Sequence, residues 1–212
     1  MIRVVLASKS PARLATLRAA GVEPSVLDAG VDESVVHAPS TAQMVAEISR
    51  LKGEAALRLV AADPTLAPRP GEPTVLLAAD TMLDVDGVPE GKPGTPQMAR
   101  QRLAALSGTE QTLHTGHFVA LLEDGRAPQI RRATASTLVR FGTLTDAEMD
   151  AYAASGEPEQ VAGSFTIDGL GGPFITGIDG DPHNVVGISL PLLRKLLHEL
   201  GIAWPSLWQR RD

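Results

Sequence analysis

Ile2–Gly21 reads IRVVLASKSPARLATLRAAG, an apolar run that stops at small polar residues and is followed by a proline. Ile2–Ala7 is short and rich in β-branched residues, as expected of a strand buried on both faces. Ser10 can accept a hydrogen bond from the first turn of a helix. Pro11 suits the opening position, where no N–H partner is needed, and Gly21 provides a stop. Strand, tight loop and helix in that order form the opening unit of an α/β fold.

Reading outward, Pro24–Leu27 has the character of a second short strand. Met44, Val45, Ile48, Leu51, Ala55 and Leu59 then repeat at helical spacing, so Thr41–Ala62 is expected to be a long amphipathic helix. Four prolines in residues 63–73 cannot continue it and mark an exposed connector. Thr74–Val85 is predicted as an apolar strand interrupted by Asp80-Thr81, and Asp86-Gly87 has hairpin-turn chemistry. Thr95 caps a short helix to Leu106. Gln111–Leu122 and Ile130–Phe141 should pair as a hairpin across the turn between them. Thr145 with Glu148 forms a capping box that starts a helix to Ala154. Seven glycines fall within Gly163–Gly187, which reads as backbone bent around a ligand or into tight turns rather than regular structure. Pro191–Gly201 is a final amphipathic helix. Helices interleaved with at least one hairpin predict a single domain over 1–212: α/β, with a mixed sheet and flanking helices.

Composition narrows the chemistry. The chain has 212 residues, no cysteine and a formal charge of −6. Disulfides, thiolate metal sites and cysteine nucleophiles are excluded, so any chemistry uses oxygen and nitrogen groups. The acidic balance argues against binding a nucleic acid polymer, which calls for a basic surplus. No long apolar stretch suggests a membrane span, and a cytoplasmic setting is expected. Only four lysines occur: Lys9, Lys52, Lys92 and Lys195.

Three segments stand out. In LASKSPAR, residues 6–13, a strand delivers Ser8, Ser10 and Arg13 to a helix N-terminus, where free N–H groups and the helix dipole favour a phosphate. Ser10 can equally be a plain helix cap. In VLLAADT, residues 75–81, Asp80 is placed at the end of an apolar strand. A carboxylate there needs a cation or hydrogen bonds, which fits metal binding or general-base work, although a turn cap is the alternative. Gly91-Lys92-Pro93 has the wrong spacing and residue types for a P-loop. Taken alone, Lys92, Lys52 and Glu33 read as ordinary solvated charges. His114 and His117 are three apart on a strand, hence on opposite faces, and should not share a metal.

Taken in order, LASKSPAR, VDE, LKGEAA, AADT, GKP, LSG, TGH, AGSFTIDGLGG and NVVG resemble the Maf family of nucleoside triphosphate pyrophosphatases along nearly the whole chain. The resemblance implies a deep cleft in a fold similar to that of the inosine triphosphate pyrophosphatases, usually in a homodimer. It also implies hydrolysis of a nucleoside triphosphate to a monophosphate and pyrophosphate with Mg²⁺ or Mn²⁺. Carried over residue by residue, it makes Ser8, Ser10 and Arg13 a phosphate-binding loop and Asp80-Thr81 the catalytic pair. Glu33 joins Asp80 at the metal, while Lys52 and Lys92 engage phosphates. Phe165 and Asp168 would face the base, with Thr81 also counted among the substrate-binding residues. Of the two specificity patterns in the family, Asp168 leans toward the 7-methyl-GTP type rather than the dTTP/UTP type, whereas Ala12 supplies the marker of neither. Family links to septum formation leave a second expectation, a nucleotide-binding regulator of cell division that acts through a protein partner.

Overall fold

The computed structural model describes residues 2–208 and contains a seven-stranded mixed sheet with helices on both faces. Among the described residues, no helix is long and apolar enough to cross a membrane. The opening unit forms as its chemistry dictates: β1 (Arg3–Leu6) leads through a short loop to α1 (Pro11–Ala19), with Ser10 at the N-cap and Pro11 in the first turn. β2 is only Ser25–Val26, shorter than the sequence suggests and exposed. It pairs parallel to β1, which pairs parallel to β3 (Thr74–Val85). Beyond β3 the sheet turns antiparallel, through β5 (Glu110–Leu122), β6 (Gln129–Phe141) and β7 (Ile175–Asp179). β4 (Val88–Glu90) folds back on β3 across the Asp86-Gly87 turn, where both residues have positive φ.

Side-chain alternation on β3 divides the core in two. Val75 and Leu77 face α1 and α6 (Leu190–His198), packing with Leu17, Leu193 and Leu197. Leu76 and Ala78 face α2 (Thr41–Ala62), packing with Ala56, Val60 and Phe118. Two glycines let α2 sit directly on the sheet. A Cβ on Gly116 of β5 would lie 2.2 Å from the Val45 carbonyl oxygen, and one on Gly53 of α2 would lie 2.2 Å from the Phe118 ring. α3 (Pro96–Leu106) and α4 (Asp146–Ala154) pack together at the far end, through Leu103, Met149 and Tyr152. The Thr145–Glu148 capping box opens α4 as expected.

Two expectations need correction. The glycine-rich stretch is more regular than its composition suggests, since it contains β7 and a short helix α5 (Pro182–Val186). β7 survives because its ladder with β6 supplies hydrogen bonds that compensate for weak propensity. Asp80 lies in the middle of β3, not at its end. It nevertheless faces a cleft, because the edge of β3 opposite β5 is covered by β1 only as far as Leu77 and by β4 only from Leu83. The uncovered interval between them contains Asp80, Thr81 and Met82.

Candidate active site

A cleft of about 590 Å³ opens over that gap. Its walls bring together Ser8, Ser10, Arg13, Glu33, Lys52, Asp80, Thr81, Lys92, Phe165 and Asp168, every residue singled out from the sequence. They come from the β1–α1 loop, the first turn of α1, the turn after β2, α2, β3, the loop after β4 and the glycine-rich segment.

At the centre, Lys52 lies between two carboxylates. Its Nζ is 2.7 Å from Asp80 Oδ1 and 2.8 Å from Glu33 Oε1. Asp80 is 6% exposed, and its Oδ2 is buried without a hydrogen-bond partner among the described residues. Burial pushes the Asp80 carboxyl above its ordinary range, against the opposing charges of Lys52 and Arg13. Glu33 is exposed, on a 3₁₀ turn capped by Asp32. A partnerless carboxylate oxygen beside a second carboxylate suits a hard divalent cation, which would be held by Asp80 and Glu33.

Successive residues on a strand point to opposite faces, so Thr81 turns away from Lys52 toward α1 and α5. Arg13 meets it there. Its Nη2 donates to Thr81 Oγ1 (2.9 Å), its Nη1 to Ser8 Oγ (3.0 Å) and its Nε to the Gly187 carbonyl (2.7 Å). Thr115 Oγ1 donates to the Asn184 carbonyl at 3.1 Å and shares a hydrogen bond with the Thr81 hydroxyl, 3.0 Å away, which also has the Gly187 carbonyl within 3.4 Å. A relay from Arg13 through Thr81 and Thr115 to α5 therefore supports the cleft floor. Arg13 is 8% exposed, and burial lowers its pKa despite the charges of Asp80 and Glu33. Arg13 and Thr81 line the cleft and, through these bonds, also hold its neighbouring groups in place.

The β1–α1 loop carries the anticipated helix cap and leaves two hydroxyls at the cleft. Ser10 Oγ caps α1 by accepting from Arg13 N, and Ser8 Oγ accepts from Ser10 N and Arg13 Nη1. Both hydroxyl hydrogens remain to be donated into the cleft. Lys9 is paired with Asp28 at 2.6 Å, and Lys92 stands exposed on the opposite wall. Asp168 is also exposed. Phe165, also in the cleft lining, is 5% exposed and packs edge-on against Phe141, with ring centroids 4.9 Å apart. Its edge of the cleft wall is thereby anchored to β6.

The histidines separate as predicted. His114 Nδ1 contacts Ser136, whereas His117 is buried, with Nδ1 donating to the Thr115 carbonyl and Nε2 accepting from Ser189 N. Burial lowers its pKa to about 4, so the ring is neutral. Sequence reasoning noticed Asn184 only as the single asparagine of the chain. It is fully buried, and its Nδ2 donates to Leu113 O and Thr137 Oγ1, tying α5 to β5 and β6.

The family model for Maf-like proteins matches residues 3–200. The chain belongs to the Maf family. Among curated relatives it is similar to the nucleoside triphosphate pyrophosphatase of Cutibacterium acnes, at 50% identity over 96% of this chain and 93% of the relative. The protein of the same name from Streptomyces coelicolor is 48% identical over 97% of this chain and 94% of its own. A HAM1 protein from Coxiella burnetii aligns with 94% of this Maf chain and 100% of its own at 18% identity, with a TM-score of 0.39. That likeness is too distant to bear on function. In this Maf protein the motif-bearing segments LASKSPAR, VDE, LKGEAA, AADT and GKP all reach the cleft, through Arg13, Glu33, Lys52, Asp80 and Lys92.

Proposed function

We propose that the chain hydrolyses a nucleoside triphosphate to the nucleoside monophosphate and pyrophosphate. The supporting observation is the placement of Lys52 between Asp80 and Glu33, with Asp80 Oδ2 unpartnered, in a cleft also lined by the α1 N-terminus and Lys92. The names of the curated relatives point the same way.

In this reading water attacks the α-phosphorus, its oxygen forming the new bond as the bond to the bridging oxygen breaks. Pyrophosphate leaves with that electron pair. The water proton passes to the Asp80 carboxylate, whose burial raises its basicity. Lys52 holds Asp80 in orientation and faces the charge that develops on the phosphates. Lys92, the Ser8 and Ser10 hydroxyls and the N-terminal N–H groups of α1 receive the departing phosphates. Mg²⁺ or Mn²⁺ at Asp80 and Glu33 would supply charge neutralisation at the triphosphate. Asp168 lies on the wall left for the base, where a carboxylate accepts N–H groups such as those of guanine. A homodimer and a cytoplasmic setting belong to the same proposal, with no role for a nucleic acid polymer or a membrane.

Pyrophosphate release from a panel of nucleoside triphosphates, with and without Mg²⁺, tests the reading. Asp80→Asn should lower turnover by a factor on the order of 10²–10⁴ for the lost base. Near-normal turnover in that variant, or orthophosphate as the first product, would overturn it.

A further inference from the structure

Glu157 lies behind the cleft wall, outside the cleft itself, at the start of a 3₁₀ turn (Glu157–Gln160) that follows α4. Residues 166–171 have no strand or helix ladder, yet their polar groups converge on its side chain. Oε1 accepts from Thr166 Oγ1, from Tyr152 OH (3.1 Å) and from Gly171 N (3.2 Å), and Oε2 accepts from Leu170 N (3.1 Å). Tyr152 completes the set by accepting from Thr166 N at 3.0 Å. The glycines are required by this close approach. A Cβ on Gly169 would lie 2.6 Å from Glu157 Oε2, and one on Gly171 would lie 2.5 Å from the Tyr152 hydroxyl oxygen. Partial burial pushes the Glu157 carboxyl upward, but the hydrogen bonds from Thr166, Leu170, Gly171 and Tyr152 outweigh it and hold the carboxyl below its ordinary value. It is therefore a carboxylate at neutral pH, with three of its four bonds coming from the same loop and the fourth from Tyr152 of α4.

Thr166, Ile167 and Asp168 of the same loop form part of the cleft wall. The loop is held at both ends, by Phe165 in its aromatic contact with Phe141 and by Ile175 in β7. Between these anchors, Glu157 is the one charged group bonded to its backbone among the described residues.

We infer that Glu157 is a positioning residue for nucleotide selection: by holding residues 166–171 it fixes Asp168 and Ile167 against the base, without touching substrate. The inference rests on the nucleotide reading given above. Loss of Glu157 leaves the Lys52, Asp80 and Glu33 cluster in place, so it acts on recognition and spares the chemical step. Glu157→Gln keeps one acceptor oxygen and most of the shape, but it presents either an N–H₂ or a single oxygen to donors that now meet two oxygens. It should lie between wild type and Glu157→Ala.

The test compares wild type, Glu157→Gln and Glu157→Ala by pyrophosphate release on ATP, GTP, CTP, UTP and dTTP, alongside hydrogen–deuterium exchange of the Leu170 and Gly171 amides. In Glu157→Ala, KM for the preferred nucleotide should rise about tenfold or more and kcat should change less than about threefold, the pattern of lost binding that is uniform through the reaction. The spread of kcat/KM across the five bases should narrow at least about tenfold, with Glu157→Gln intermediate, and protection of both amides should fall by about tenfold or more. Unchanged base discrimination in Glu157→Ala, with or without a lower melting temperature, would overturn the inference. So would a fall in kcat at constant KM. If wild type releases pyrophosphate from none of the nucleotides, the functional reading fails and takes base selection with it, while the exchange data still decide whether Glu157 holds the loop.

Discussion

Alanine at Gly116 tests whether the tight seating of α2 on β5 is what places Lys52. The added Cβ would lie 2.2 Å from the Val45 carbonyl oxygen, 2.5 Å from its carbon and 2.8 Å from Ser49 Oγ. Two of these atoms are backbone inside a 22-residue helix and cannot rotate aside. Restoring van der Waals separation requires α2 to lift from the sheet by roughly 1 Å. Overpacking of this kind costs about 1–3 kcal/mol, and each kcal/mol moves the midpoint of a chain this size by about 2–4 °C, so Tm should fall by roughly 2–12 °C. The same lift draws Lys52 away from Asp80, 2.7 Å distant in the intact protein. A misplacement of about 1 Å in a catalytic arrangement can cost about 10² in rate, so turnover should fall by more than the loss of folded protein explains. Calorimetry and pyrophosphate release on one preparation read both effects. Gly177→Ala is the control, because its nearest neighbour would be an Arg140 nitrogen at 3.5 Å. A Gly116→Ala protein with Tm within about 1 °C and turnover within about twofold of wild type would refute the argument.

Other outcomes follow from the same geometry. The raised Asp80 pKa means that its favourable contribution to stability is present below the ordinary carboxylate value and lost as pH rises through the folded-state value. Asp80→Asn should therefore be as stable as wild type or more so at neutral pH, with the difference vanishing in acid, as melting curves at a series of pH values would show. His117 has the opposite sign: its stability contribution is complete above the unfolded pKa of 6.5 and is lost as pH falls toward about 4. That loss amounts to roughly 3 kcal/mol, so His117→Gln should flatten the acid limb of the stability profile. Arg13→Lys cannot reproduce contacts to Ser8, Thr81 and Gly187 with one ammonium group, and should cost about 3 kcal/mol in chemical denaturation. Lys92→Ala should raise KM on the triphosphate panel and leave Tm unchanged, because the side chain is exposed.

Local chemistry determined much of this protein before any tertiary contact formed. Ile2–Gly21 could form little other than strand, loop and helix, Asp86-Gly87 could form little other than a hairpin turn, and Thr145 with Glu148 announced α4. Each depends on groups within a few residues of one another, so the information is contiguous in the chain. Residue by residue the candidate site was legible only in fragments, Asp80 and the β1–α1 loop, because Glu33, Lys52 and Lys92 are ordinary charges until the fold brings them together.

Tertiary structure alone decided the rest. The sequence could not show that along one edge of β3 pairing with β1 stops at Leu77 and pairing with β4 begins at Leu83, which is what turns a mid-strand aspartate into a cleft residue. Nor could it show that Arg13 spends its donors on Ser8, Thr81 and Gly187, or that four donors meet at Glu157. Arg13 and Gly187 are 174 positions apart. Propensity and periodicity act over one or two turns of chain, whereas a buried polar group takes its partner from whatever the packed elements bring within about 3 Å.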